Sequence, residues 1–177
     1  MKPKFLKNPK TDTYNVFKDI VLSTEFPWFR WSRTIEEEGE LDKGHEDFPF
    51  LSHKFLTRPL NSCLYSQPNS QYVEPMQQVF REIADFNGLD PQIIYRMNAN
   101  AIYPTENNLP SPLHVDHNFP HINMIIYLTD PQGGSTIVEG KEYMANEDDV
   151  LIFDGKLHCA RPPRKDVRIV LVITFLL

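Results

Sequence analysis

The His114-Val115-Asp116 segment places the strongest constraint on how this chain can fold. In an extended strand, residues two apart project from the same face, so His114 and Asp116 can reach one ion while Val115 packs the other way. His158 would supply a third ligand from a different strand, which must then lie nearby. Two imidazoles and one carboxylate form the facial ligand set that leaves positions open on non-haem Fe(II). The segment therefore predicts a metal site that joins two distant parts of the chain.

The composition limits the class of protein and the class of partner. A chain of 177 residues, with 41% hydrophobic and 24% charged residues, is typical of one globular domain, predicted here as residues 1–177. The net charge of −6 argues against nucleic acid as a partner, because phosphate backbones are bound by Lys and Arg. No apolar run approaches the roughly 20 residues of a membrane span, and none follows the basic N-terminus as in a signal peptide. Cys63 and Cys159 are too few for a disulfide framework, so we expect a cytoplasmic protein without membrane contact.

Residues 1–90 are expected to form a helical and irregular flank. Apolar spacing predicts a short amphipathic helix around residues 17–22 and a clearer one over residues 71–87. The aromatic cluster at residues 26–31 is expected to pack in the core against a sheet. The acidic run at residues 36–38 is expected to be a solvated loop.

Residues 91–177 change period and predict a core of short strands. Residues 93–103 alternate, with Tyr95 and Met97 on the apolar face. The last strand, residues 168–177, is apolar on both faces and is expected to be buried. The polar face of the strand at 93–103 carries three residues that we interpret as substrate contacts: Arg96, Asn98 and Asn100. The prediction is a mainly β protein with a helical N-terminal flank and a jelly-roll core.

Two further histidines crowd the predicted metal segment. Together with His114, the residues His117 and His121 are spaced closely enough to resemble a zinc-binding cluster. In a strand, however, His117 points away from the face of His114 and Asp116. We therefore expect His117 and His121 at the rim or on the outer face, and Cys159 as a small buried residue.

The ordered motifs of the second half resemble those of a known family. They are His114-x-Asp116, Tyr127-Leu128, Gly133-Gly134-x-Thr136, Asp149-x-Leu151-x-Phe153-Asp154, His158 and Arg168. This series, which covers about residues 95–177, resembles the 2-oxoglutarate/Fe(II)-dependent oxygenases and is most similar to their prolyl 4-hydroxylase branch. The resemblance implies a double-stranded β-helix and an enzyme that uses Fe(II), 2-oxoglutarate and O2, and it leaves ascorbate open as a further cofactor. It also implies that His114, Asp116 and His158 hold the iron.

The resemblance further implies how the cosubstrate is held. Arg168 would pair in a planar bidentate fashion with the far carboxylate of 2-oxoglutarate. Tyr127 would donate a hydrogen bond to the same carboxylate, Tyr103 would lie near the cosubstrate, and Thr136 would line its pocket. Many collagen-type prolyl hydroxylases carry a Lys in place of Arg168, which favours the oxygen-sensor or bacterial-type branch.

Three functions follow from these readings. The first is a dioxygenase that hydroxylates a C–H bond, with a prolyl residue in a peptide or protein as the preferred substrate. The second is an oxygenase for a free amino acid, a small metabolite or a nucleobase, although the acidic balance counts against nucleic acid. The third is a jelly-roll protein that binds without catalysis.

Overall fold

Two antiparallel sheets form the framework of the protein, as seen in a computed structural model that describes residues 1–31, 50–59 and 65–177. The acidic run at 36–38 and Cys63 lie outside those residues. The elements in chain order are β1 (Lys4–Leu6), α1 (Asp12–Leu22), β2 (Phe29–Trp31), β3 (Phe50–Thr57), β4 (Gln67–Pro68), α2 (Val73–Phe86), β5 (Ile93–Ile102), β6 (Ile122–Tyr127), β7 (Ser135–Val138), β8 (Lys141–Tyr143), β9 (Val150–Asp154), β10 (His158–Arg161) and β11 (Arg168–Leu176). The major sheet has the order β1-β9-β6-β11-β5-β3-β2 with β4 paired to β3, and the minor sheet has the order β10-β7-β8. This architecture confirms the mainly β jelly roll with N-terminal helices.

Capping hydrogen bonds mark the start of α1 and the end of α2. The Thr11 hydroxyl accepts a hydrogen bond from the Tyr14 amide at the start of α1, over 3.2 Å. At the end of α2, Gly88 adopts a left-handed conformation with φ of 66°. There the Leu89 amide donates to the Ala84 carbonyl and the Gly88 amide to the Asp85 carbonyl, which satisfies carbonyls that the last turn leaves free. Within the described ranges, neither helix is long and apolar enough to span a membrane.

The major sheet is buried on both faces. One face packs under α1 and α2 in a core that includes Phe17, Phe80, Leu171 and Phe175. The opposite face is turned towards the minor sheet, where a smaller cluster forms around Tyr127, Phe153 and Val170. Strand β11 lies between β5 and β6 and alternates between these two layers, which explains why its sequence is apolar throughout.

The flank before residue 90 contributes more strand than the sequence predicts. Strands β1, β2 and β4 are short, but β3 has eight residues and pairs with β5 inside the major sheet. Its register shifts between Lys54 and Leu56, which leaves Phe55 as a bulged residue. Because a bulge interrupts the two-residue alternation, the usual strand signal is absent from this segment.

A second bulge corrects the predicted faces of β5. Thr174 of β11 pairs with Arg96, whereas the next residue, Phe175, pairs with Ile94 and skips Tyr95. Ile94 therefore packs on the helix-covered core beside Met97. The predicted placement of Tyr95 on that apolar face is wrong, since its ring contacts the rings of His117 and Phe119, at centroid distances of 5.6 and 4.8 Å. After the bulge, the predicted alternation holds.

The contact between α2 and β11 should carry a large part of the folding free energy. The Phe80 ring is fully buried and meets the Phe175 ring edge to face at 5.0 Å. We expect Phe80→Ala to lower the free energy of unfolding by about 3–5 kcal/mol in urea titrations, because a cavity replaces the ring. The matched control is Phe86→Ala on the same helix, whose side chain is 58% exposed and whose loss should cost about 0.5 kcal/mol or less. Equal losses in the two variants would contradict this packing.

Candidate active site

Two backbone hydrogen bonds bring the predicted metal ligands together. The His114 amide donates to the His158 carbonyl and the His158 amide donates to the His114 carbonyl, each over 2.9 Å. The two imidazole rings lie with centroids 4.5 Å apart. One ligand atom from each of His114, Asp116 and His158 falls within 4.8 Å of the others. The structure therefore brings the three residues together where the connection between β5 and β6 pairs with the start of β10.

The hydrogen bonds of both imidazoles prepare them to bind a metal ion. His114 Nδ1 lies 3.0 Å from the Pro112 carbonyl oxygen, and His158 Nδ1 lies 2.8 Å from the Lys156 carbonyl oxygen. A carbonyl oxygen only accepts, so each Nδ1 must carry the proton and each Nε2 keeps its lone pair. Burial lowers the pKa of His158 to about 4, although Asp116 opposes the shift, so this ring is neutral near pH 7. A fixed tautomer of this kind is usual for histidines that bind metals.

The Asp116 carboxylate has one paired and one unpaired oxygen. Its side chain is 2% exposed, and Oδ1 forms an ion pair of 2.7 Å with Arg96 Nη2. Oδ2 is buried, has no hydrogen-bond partner among the described residues, and lies 3.4 Å from His158 Nε2. Burial by itself would raise the pKa of Asp116, but the Arg96 guanidinium holds it well below its usual range. An ionised oxygen facing imidazole lone pairs is stable only with a cation between them, so this donor set fits a metal ion.

The metal group opens into a cavity of about 220 Å³ between the two sheets. Arg168 and Thr136 line the same cavity, together with the apolar side chains of Val170 and Val172. Arg168 is only 1% exposed, and its Nη2 donates to Thr136 Oγ1 over 2.9 Å. Its Nε has no partner, and no carboxylate among the described residues forms an ion pair with it. A buried cation without a counter-ion is costly, which is the condition of a site built for an anion.

Tyr127 contacts Arg168 and Thr136 without lining the cavity. Its hydroxyl lies 2.6 Å from Thr136 Oγ1, and the Arg168 guanidinium carbon lies 5.2 Å from the centre of its ring. Tyr127 is fully buried but is not among the residues that line the cavity. The structure therefore joins Tyr127 to Arg168 through Thr136, whereas the resemblance implied direct contact with the cosubstrate.

Tyr103 is not brought to the site. It is 49% exposed and does not line the cavity in the described part of the chain. The preceding residue, Ile102, lines the cavity at the end of β5, so strand alternation turns the next side chain outwards. The structure therefore does not place Tyr103 at the cavity, where the resemblance implied that it would lie.

The polar face of β5 does reach the cavity. Asn98 Nδ2 donates to Asn100 Oδ1 over 2.6 Å, and that oxygen also accepts from the Ser52 hydroxyl over 2.8 Å. The remaining amide atom, Asn98 Oδ1, is buried and has no hydrogen-bond partner within residues 1–31, 50–59 and 65–177. Asn98 thus keeps one free acceptor, whereas Asn100 is engaged within the fold and Arg96 is engaged with Asp116.

Sequence reasoning missed the contribution of β2 and β3. Trp31, Phe50, Ser52, Lys54 and Arg58 all line the cavity. Phe50, Ser52 and Lys54 alternate onto the cavity face, but the bulge at Phe55 ends this pattern after five residues, so the strand signal is short. The predicted core packing of the aromatic cluster holds for Phe26 and Trp28 and fails for Trp31 and for the exposed Phe29.

His117 and His121 are structural and buried. His117 Nε2 is bonded to Thr174 Oγ1 over 2.8 Å, and burial lowers the pKa of His117 to about 3. His121 Nδ1 donates to the Phe119 carbonyl over 2.8 Å. A Cβ at position 155 would come within 2.5 Å of the His121 ring, so only Gly155 fits there. Neither histidine belongs to the metal group found among the described residues, as predicted, but their expected place at the rim or outer face is wrong.

Comparisons of sequence find no family model and no curated protein that matches this chain. Solved structures do match. An oxidoreductase of the 2OG-Fe(II) oxygenase family from Burkholderia pseudomallei superposes with a TM-score of 0.70 at 14% identity, over 98% of this chain and 84% of that one. The alpha-ketoglutarate-dependent epimerase SnoN from nogalamycin biosynthesis gives 0.58 at 11% identity, over 98% and 77%. A prolyl hydroxylase from Trichoplax adhaerens, in complex with a hypoxia inducible factor peptide fragment, gives 0.55 at 10% identity, over 98% and 83%.

The chain has the double-stranded β-helix fold of these enzymes. The resemblance stated from its motifs is thereby confirmed at the level of fold.

Metal binding should depend on His158 and Asp116 and not on His117. We expect His158→Ala and Asp116→Asn each to weaken Co(II) binding in equilibrium dialysis by roughly 100-fold or more, because each removes a ligand. His117→Gln is the control, and it should retain Co(II) because His117 Nε2 is already bonded to Thr174. Loss of Co(II) in His117→Gln with retention in His158→Ala would instead indicate a cluster of His114, His117 and His121.

Proposed function

We propose that this protein is a dioxygenase that uses Fe(II), 2-oxoglutarate and O2 to hydroxylate a C–H bond of its substrate. A single observation carries the proposal. One cavity holds both the His114–Asp116–His158 group and a buried arginine, Arg168, that pairs with no carboxylate of the described residues. A binding protein without catalysis has no use for a buried cation and a metal group facing the same space.

The three ligands would hold Fe(II) through His114 Nε2, His158 Nε2 and Asp116 Oδ2. When bound, Fe(II) with 2-oxoglutarate supplies an oxidation in which one atom of O2 enters the substrate as hydroxyl and the other enters succinate, with loss of CO2. The chain contributes the neutral tautomers of both imidazoles through the Pro112 and Lys156 carbonyls. Three protein ligands leave the remaining positions of the ion to the reactants.

Arg168 would bind the carboxylate of 2-oxoglutarate that lies far from the metal. A planar guanidinium matches a carboxylate in two parallel hydrogen bonds, and burial strengthens such a pair. Thr136 accepts from Arg168 and is itself bonded to Tyr127, so this pair orients the guanidinium. Val170 and Val172 offer apolar walls for the methylene carbons of the cosubstrate.

The substrate that we propose is a prolyl residue in a peptide or protein. The motif resemblance supports it, as does the likeness of fold to a prolyl hydroxylase crystallised with a peptide fragment. Asn98 lines the cavity, and its buried Oδ1 has no hydrogen-bond partner among the described residues, which suits an N–H donor such as a peptide group beside the target residue. We propose Asn98 as a substrate contact on this basis.

A small molecule is the alternative substrate. Trp31 and Phe50 line the cavity from the flank and give it an aromatic wall that suits a compact ligand. The fold is also similar to that of an epimerase from nogalamycin biosynthesis. A free amino acid or small metabolite fits this reading.

Replacing Arg168 should have opposite effects on the thermal stability of the protein and on its affinity for 2-oxoglutarate. Without 2-oxoglutarate, we expect Arg168→Met to be at least as stable to heat as the wild type, because it removes an uncompensated buried charge. The 2-oxoglutarate concentration for half-maximal turnover should rise by roughly 100-fold, and the thermal stabilisation by 2-oxoglutarate should disappear. Arg164→Met, at an exposed arginine, is the control and should change neither quantity. If Arg168→Met still binds 2-oxoglutarate with wild-type affinity, another residue is the anchor.

The substrate class can be decided by succinate release. The protein is incubated with Fe(II), 2-oxoglutarate and O2, with and without ascorbate, and offered proline-containing peptides, free amino acids and damaged oligonucleotides. We expect the peptides to stimulate succinate formation above the uncoupled rate, and Asp116→Asn to abolish it. Stimulation by free amino acids alone would refute the prolyl assignment and retain the dioxygenase. Absence of any 2-oxoglutarate turnover in the wild type would refute the dioxygenase itself.

A further inference from the structure

Arg96, interpreted from the sequence as a substrate contact, forms an ion pair with Asp116, a proposed metal ligand. It lies on β5 immediately after the bulge at Tyr95, opposite Thr174 of β11. Its side chain lines the cavity and is 15% exposed. Arg96 lies on the same face of β5 as Asn98, and its Nη2 reaches Asp116 Oδ1 in the cavity.

The contact with Arg96 makes the two Asp116 oxygens different. Oδ1 is bonded to Arg96 Nη2 at 2.7 Å, whereas Oδ2 has no hydrogen-bond partner in the part of the chain that the structure describes and is 3.4 Å from His158 Nε2. The Asp116 carbonyl also accepts from Arg58 Nη1 over 3.2 Å, which restrains the backbone that carries the carboxylate. The carboxylate is therefore held with one oxygen towards the other metal ligands and one towards the guanidinium.

A carboxylate can bind a metal ion through one oxygen or through both. Binding through both oxygens uses a coordination position that a reactant would otherwise take. A charge-assisted bond to one oxygen opposes the second mode, because the metal would have to displace the guanidinium. Arg96 also withdraws negative charge from the carboxylate and repels a divalent ion, so the ion is bound less tightly than the three ligands alone would allow.

We propose that Arg96 is a positioning residue that restricts Asp116 to a single metal-binding oxygen, Oδ2, and so keeps a coordination position free for the reactants. The inference rests on the metal site of the proposed function and extends it to a residue outside the ligand set. It also replaces the interpretation of Arg96 as a substrate contact. Asn98, two residues further along the same face, keeps a free acceptor for that purpose.

The test uses Mn(II), which is stable in air and whose coordinated waters are counted by water-proton relaxation. We expect Arg96→Met to show fewer coordinated waters than the wild type, because the released Oδ1 joins the metal. Its Mn(II) affinity should rise by roughly tenfold, because a competing cation is lost. These readouts need neither substrate nor turnover, and a role of Arg96 in packing alone would not change the number of waters.

Two control variants separate hydrogen bonding from charge. Arg96→Lys keeps a cationic donor for Oδ1 and should retain the wild-type number of waters. Lys54→Met removes another cation that lines the cavity, one that lies over the Trp31 ring at 3.9 Å, and it should also retain the wild-type number. If Lys54→Met matches Arg96→Met, the effect is one of general charge and the proposal is overturned.

A crystal structure of the wild type with Mn(II) gives the same answer if Arg96→Met fails to fold. Only Asp116 Oδ2 should lie within bonding distance of the ion, with Arg96 still on Oδ1. Coordination by both oxygens, or an Arg96→Met protein with unchanged waters and affinity, overturns the role of Arg96 and leaves the dioxygenase intact. A wild type that binds no Mn(II) overturns both.

Discussion

The reciprocal hydrogen bonds between the His114 and His158 backbones are the interaction on which the site depends. His114 lies in the connection between β5 and β6 of the major sheet, and His158 begins β10 of the minor sheet, so this pair fixes that connection to the minor sheet beside the cavity. In a bridge of this kind, both side chains leave the backbone on the same side. Once the bridge forms, two imidazoles converge, and Asp116, two residues beyond His114, joins them.

The charges around the cavity are arranged around that bridge. Two arginines, Arg96 and Arg168, are buried or nearly so and face the same space. Arg96 is compensated by Asp116, whereas Arg168 has only the neutral Thr136 and the Tyr127 ring as described contacts. The charge of Arg96 is already compensated within the fold, whereas the charge of Arg168 is available to pair with an anion that binds in the cavity. The difference divides the cavity into a metal side and a carboxylate side, which suits a cosubstrate that binds at both ends.

The second half of the chain was well predicted, because its signals are local. The alternation after Tyr95 and the apolar last strand report which face a side chain takes, and both are found as expected. His114 and Asp116 do converge, but the strand predicted for them is wrong, since they lie in the connection between β5 and β6, where His114 forms an isolated β-bridge. The failures also have a local cause. Bulges at Phe55 and Tyr95 reverse the face of the residues on one side of them. The alternation in the sequence therefore does not reveal β3, and it predicts the wrong layer for Tyr95. Tyr103 lies outside the cavity because Ile102 takes the inward position at the end of β5.

The sequence by itself determined the ligand types, their spacing and the fold class, because strand periodicity and the chemistry of His, Asp and Arg are properties of short segments. Only the tertiary structure decided which oxygen of Asp116 stays unpaired, that Arg168 lacks a counter-ion among the described residues, and that Trp31 and Ser52 reach the cavity. These features depend on strand pairs between residues far apart in the chain. Partner choice across a sheet is set by packing and register, and no local pattern encodes it.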